Sequence, residues 1–165
     1  MKLMVINGPN LARLDIRDSS IYGDLNYDQL KALIQGAAKS AGFDVEVLQS
    51  NDEAEIISWL HKAADEQSPV IINPAAFTHY SYAIRDAAEL VKAPLIEVHL
   101  SNPMAREEFR HTSVISGVAN GTIAGFGPNS YVLAINALKA MLGWSQNFTS
   151  DTGILYTLPF TPGGL

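Results

Sequence analysis

Residues 26–48 read NYDQLKALIQGAAKSAGFDVEVL, a stretch that holds an amphipathic helix, its stop and the strand after it. Leu30, Leu33, Ile34, Ala37, Ala38 and Ala41 recur at helical spacing, so a helix over 27–41 gathers them on one stripe. Asn26 stands where a side chain caps the first turn, and Gly42 where a left-handed residue ends the last. The run at 45–48 then has the β-branched, apolar character of a short buried strand. Outward from this unit the same alternation continues, with apolar runs at 3–6, 70–72, 95–98 and 122–126 and helical patterns at 54–65, 81–91 and 130–142. The order reads βαβαβαβαβα. Strands that are apolar on both faces belong to a parallel sheet covered on both sides.

Crossovers of this length favour an open, doubly wound sheet over a closed barrel, and predict the flavodoxin-like strand order 2-1-3-4-5 in an α/β fold. The chain has 165 residues, 47% hydrophobic and 17% charged, which suits a single globular domain. No repeat or linker divides it, so the domain is expected over 1–142 with an extension over 143–165. Residues 11–26 carry Arg13, Asp15, Arg17, Asp18 and Asp24 around small residues, the composition of a polar lid loop. The first apolar run reaches Asn7 too soon for a signal peptide, and no run approaches the roughly 18 residues of a membrane span. A soluble, cytoplasmic protein is expected. With no cysteine, disulfide scaffolds, thiolate nucleophiles and cysteine zinc sites are excluded. Seventeen acidic against 11 basic residues give a net charge of −6, which argues against nucleic acid as a partner.

In such sheets ligands bind beyond the carboxyl ends of the strands, near the point where strand order reverses. Those ends are polar here: Asn7, Gly8, Pro9 and Asn10 after the first strand, Gln49, Ser50 and Asn51 after the second, residues 73–79 after the third, and His99, Leu100, Ser101 and Asn102 after the fourth. With strands 1 and 3 adjacent, Asn10 and Asn73 meet in one crevice near His79 and His99, a set of donors and acceptors suited to a polyol. Arg106 and Arg110 have the donor geometry to clamp a carboxylate. Taken singly, each cluster has a plainer reading. Gly-Pro and Asn-Pro pairs form turns, a histidine at a helix start caps it or faces solvent, and 106–111 reads as a solvated helical turn. Recurrence at four strand ends favours a site.

Other chemistries fit less well. The glycines lack Rossmann or Walker spacing, the four histidines lack zincin spacing, and Ser81, Ser101 and Ser113 lack a nucleophile elbow. A phosphoacceptor of this fold would want acidic residues where Asn7 and Asn10 stand. Tyr22 shares the lid with Arg17 and allows either of two roles, an aromatic plug under the loop or a base. Tyrosine, with a pKa of about 10, needs about 4 kcal/mol to ionise at pH 7, and one guanidinium about 4 Å away at an effective dielectric near 20 supplies a comparable term.

The succession Asn7-Gly8-Pro9-Asn10-Leu11, Arg17 with Ile21-Tyr22-Gly23, Gln49-Ser50-Asn51, Ile72-Asn73-Pro74, Thr78-His79, Ala83-Ile84-Arg85-Asp86, Glu97 through Asn102 and Arg106 through His111 resembles type II 3-dehydroquinate dehydratases. The likeness runs over residues 3–142. It implies a lyase that dehydrates 3-dehydroquinate to 3-dehydroshikimate by anti elimination through an enolate, with no metal, cofactor or Schiff base. Both biosynthesis of aromatic compounds by the shikimate pathway and quinate catabolism use that step. On matching positions the resemblance makes Tyr22 the base, Arg17 its activator on the lid, Asn10 a holder of the enolate-stabilising water, and His99, oriented by Glu97, the acid. Asn73, His79 and Arg110 would bind substrate hydroxyls, and the amides of Leu100 and Ser101 the carboxylate. Arg106 would be a second positive charge near the lid, and Asp86 would enter from a neighbouring subunit of a trimer, four trimers making a homododecamer.

The chain departs from the family pattern at Asp15 and Ala75, where glycines are usual, at Ala12 and Arg13, and at Phe77, where a tyrosine is usual. An Asp15 carboxylate would compete for Arg17. These departures motivate an alternative, a noncatalytic cyclitol-binding or assembly module on the same fold.

Overall fold

A computed structural model describes residues 1–16 and 25–143. Five strands form one all-parallel sheet in the order β2-β1-β3-β4-β5: β1 Lys2–Asn7, β2 Asp44–Gln49, β3 Val70–Asn73, β4 Leu95–His99 and β5 Gly121–Ala124. Among the described residues four α-helices flank it: α1 Tyr27–Ala41, α2 Glu53–Glu66, α3 Tyr82–Glu89 and α4 Asn129–Gly143. The doubly wound order read from the sequence is the observed one. Helix α1 begins in a reciprocal capping box, Asn26 accepting from the Gln29 amide while the Gln29 side chain accepts from the Asn26 amide, and it stops at Gly42 with φ +90°.

The sheet is covered on both faces. Leu30, Ile34 and Ala38 of α1 and Tyr131, Ala134, Ile135 and Leu138 of α4 pack with Leu3, Val5, Ile71, Ile96 and Val98. On the other face Ile56, Leu60 and Ala63 of α2 and Ile84, Ala87 and Ala88 of α3 pack with Met4, Ile6, Val70, Ile72 and Leu95. Each leucine or isoleucine so enclosed contributes about 1.5–3 kcal/mol of burial, which makes β1, β3 and β4 rigid supports for the loops beyond their carboxyl ends.

Two details differ from the sequence expectation. The full βα alternation fails between β4 and β5, where the connection carries only 3-10 turns at Pro103–Ala105 and Glu108–His111. That segment has no apolar stripe to bury, and Pro103 and the polar run 106–108 leave nothing to stabilise an α-helix there. Strand β5 ends at Ala124, short of residue 126, because Gly125 turns the backbone to φ +91°.

Candidate active site

The in-register pairing of β1 with β3 sets Asn7 beside Asn73, and both are buried. Just beyond, the two loops touch through their backbones. The Gly8 amide donates to the Asn73 carbonyl at 2.7 Å, and a Cβ on Gly8 would lie 2.5 Å from the Pro74 carbonyl oxygen, so only glycine fits. Asn10 holds φ +67°, a left-handed conformation that asparagine tolerates, with its amide bonded to Asn51 Oδ1 at 2.9 Å. Gln49 Nε2 donates to the Gly8 carbonyl at 3.2 Å. The cluster at the end of β2 therefore braces the 8–10 loop and does not line the crevice.

A cleft of about 170 Å³ opens at this edge, lined by Asn10, Asn73, His79, His99, Leu100, Ser101, Arg106 and Arg110 among others. His79 presents Nδ1 to the Thr112 carbonyl at 2.8 Å, and because a carbonyl only accepts, that nitrogen carries the hydrogen. Its ring stands edge-on to Phe109, with centroids 5.7 Å apart, and the Arg110 guanidinium lies 4.6 Å from the centroid of the same Phe109 ring. Arg110 Nε also bonds Glu107 at 2.8 Å, and Arg106 lies 3.5 Å from that carboxylate and 3.4 Å from Ser101 Oγ. Glu107 is held below the usual carboxylate range by its own backbone and by Arg110. Two partly buried guanidiniums sharing one carboxylate thus place positive charge on one wall of the cleft in an acidic chain.

Behind His99 sits a carboxylate with no exposed surface. Glu97 Oε1 receives His99 Nε2 at 2.7 Å and the Thr78 hydroxyl, while Ser113 reaches both carboxylate oxygens at 3.0 and 3.1 Å and Ser116 donates to Oε2. Burial alone opposes ionisation of Glu97, but the bonds from His99, Ser116 and Thr78 outweigh it and hold its carboxyl below the usual range. An ionised Glu97 leaves His99 Nε2 as the donor, so this pair fixes the histidine's orientation. The amides of Leu100 and Ser101, next along the chain, make no hydrogen bond among the described residues.

Asp86 lies on α3 and outside the cleft lining, three-quarters exposed and paired with Arg85 at 3.1 Å. Tyr22 and Arg17 lie outside the described residues, as does the extension from residue 144. Asp15 is 3.5 Å from Arg13, an exposed pair. Sequence reasoning missed Thr78, Ser113, Ser116, Phe109 and Tyr131. The hydroxyl residues gave no signal because a serine beside a buried carboxylate looks like any loop serine until the fold closes, and Tyr131 fell within an apolar helical stripe.

A family model described as Dehydroquinase class II matches residues 1–139. A 3-dehydroquinate dehydratase of Caldicellulosiruptor bescii is 53% identical over 142 residues, covering 86% of this chain and 98% of the relative. One of Salinispora tropica is 50% identical over 140 residues, covering 85% and 98%. Among solved structures, the type II dehydroquinase from Propionibacterium acnes superposes with a TM-score of 0.82 at 49% identity, covering 84% of this chain and 96% of that one.

Proposed function

This chain belongs to the dehydroquinase class II family and is a hydro-lyase that dehydrates 3-dehydroquinate, and from that premise we propose how its residues divide the reaction. Tyr22, made acidic by Arg17, takes the proton α to the ketone. The electron pair moves onto the carbonyl oxygen, and a water held by Asn10 stabilises the enolate. Collapse of the enolate expels the hydroxyl on the opposite face as His99 gives it a proton, so 3-dehydroshikimate and water leave together. The observation that carries this reading is the His99–Glu97 pair at the cleft, a proton donor aimed by a buried anion.

Asn73, His79 and Arg110 meet substrate hydroxyls, and the unengaged amides of Leu100 and Ser101 suit its carboxylate, with Arg106 adding positive charge. An α-proton beside a ketone, a poised base and donors facing the developing oxyanion make a complete set, so the chemistry calls for no metal or cofactor. The exposure of Asp86 and its place outside its own cleft support its entry into a neighbour's site within a trimer, four of which build a dodecamer. The enzyme is assigned to the cytoplasm, and among the described residues no helix is long and apolar enough to cross a membrane.

The test is turnover of 3-dehydroquinate followed by the ultraviolet absorbance of the conjugated product, with and without borohydride. Activity that survives borohydride and disappears in Tyr22→Phe is expected. Loss on borohydride treatment would mean a Schiff base and overturn the mechanism, and an inactive wild type would favour the binding module.

A further inference from the structure

We infer that Tyr131, on the helix face that covers the sheet, is a positioning residue that fixes how Asn73 presents its amide to the substrate. This rests on the reading of the cleft as the dehydratase site. One group in the network has a role that cannot change, since the backbone N–H of Ala75 only donates, and Asn73 Oδ1 lies 3.2 Å from it. The oxygen of Asn73 therefore faces Ala75, which turns Nδ2 toward the Tyr131 hydroxyl at 3.0 Å. A phenol that accepts this bond sends its own hydrogen elsewhere, and Asn7 Oδ1 receives it at 2.6 Å. Donor and acceptor are thus settled at every link from Ala75 to Asn7.

The links share a dry environment. Asn7 and Tyr131 have no exposed surface and Asn73 only 3%, so no bulk solvent competes for these bonds. Burial holds the Tyr131 phenol well above its ordinary pKa, which keeps its hydrogen in place. A flipped Asn73 amide would set its NH₂ against the Ala75 N–H, two donors face to face. Only one amide hydrogen of Asn73 is spoken for, by Tyr131. The other is free to donate into the cleft, so Asn73 presents a donor to the substrate group it meets there, and Tyr131 fixes that presentation without touching the substrate.

Tyr131→Phe keeps the ring and removes only the oxygen. In the otherwise unaltered enzyme, kcat/KM is expected to fall about tenfold, chiefly through KM, as loss of a uniform binding contact predicts. In an Asn73→Ala background the same change should cost less than about twofold, because a residue acting through Asn73 has nothing left to position. Equal losses in the two backgrounds, or no loss in the first, would overturn the inference, and so would a fall in kcat at unchanged KM, the sign of a smaller folded fraction. If Asn73→Ala turns over too slowly to follow, the affinity for 3-dehydroshikimate by calorimetry replaces kcat/KM in the same cycle. Thermal melting checks folding. Should Tyr131→Phe not fold, Asn7→Ala breaks the chain at its other end and passes through the same cycle, where a loss confined to the Asn73 background supports the inference and equal losses overturn it. Wild-type turnover, measured alongside, reports on the dehydratase reading separately.

Discussion

Glu97 on β4 and Asn7 on β1 are both wholly buried in the same sheet, yet their surroundings differ. Glu97 is charged and saturated, with His99, Thr78, Ser113 and Ser116 all donating to it. Asn7 is neutral and less fully paired: its Oδ1 receives Tyr131, but its Nδ2 has no partner at hydrogen-bonding geometry among the described residues, although the half-buried Tyr27 phenol lies near enough to interact with this side chain. The difference follows from desolvation. A buried charge left short of donors costs far more than a buried amide short of one acceptor, so the fold directs its hydroxyls to the carboxylate. Two networks at one edge therefore have different tolerances.

The largest effect is expected at Glu97. In Glu97→Gln an NH₂ replaces one acceptor, so groups that donate to the carboxylate must turn round or lose their bond. Turnover should fall by about 10² or more as His99 loses its anchor, and urea unfolding should show a loss of about 1–3 kcal/mol. A stable, fully active Glu97→Gln would mean that the cage is packing and not electrostatics.

Acid sharpens the same contrast. Because the folded pKa of Glu97 lies below its ordinary value, its ionised form stabilises the fold above the unfolded carboxylate range, and that contribution is lost as pH falls through the folded pKa. The stability gap between wild type and Glu97→Gln should therefore narrow between pH 7 and about pH 3. The corresponding gap for Asn7→Ala should stay level, since an amide does not titrate. Asn7→Ala is expected to cost about 1–2 kcal/mol by urea unfolding, less than a buried charge because the side chain is already short of one bond.

The smallest effect should come from Ala75, which holds φ +52° where an alanine is strained. Ala75→Gly should raise stability by roughly 0.5–1 kcal/mol while keeping the amide that bonds Asn73. If it lowers stability instead, the turn is not strained.

Periodicity makes the helices and the strand order legible in the sequence. Asn26 and Gly42 bound α1 where the spacing puts its ends, and apolar runs place β1, β3 and β4 at the centre of the sheet. Asn10, Asn73, His79 and His99 are legible as neighbours because topology alone brings strand ends together. Glu97 is not readable from pattern. It stands inside an apolar run, and only the resemblance singles it out. Thr78, Ser113 and Ser116 converge on it from loops separated in sequence, a geometry that no local spacing encodes. Tyr131 misleads for a different reason, since its ring follows the apolar stripe of α4 faithfully while its hydroxyl, at the far end of the side chain, joins a polar network.

The contact of Gly8 with the Pro74 carbonyl bears on redesign of the enzyme. A protein engineer who wishes to reshape the cleft for a bulkier or smaller cyclitol has no lever at residue 8, because any side chain there would push the β1 and β3 loops apart and unseat Asn10 and Asn73 together. The adjustable wall is the opposite one. Ser101, Arg106 and Arg110 hang from the crossover that lacks an α-helix, so libraries aimed at new substrates should be drawn there, with the Gly8 seam kept as the fixed jaw.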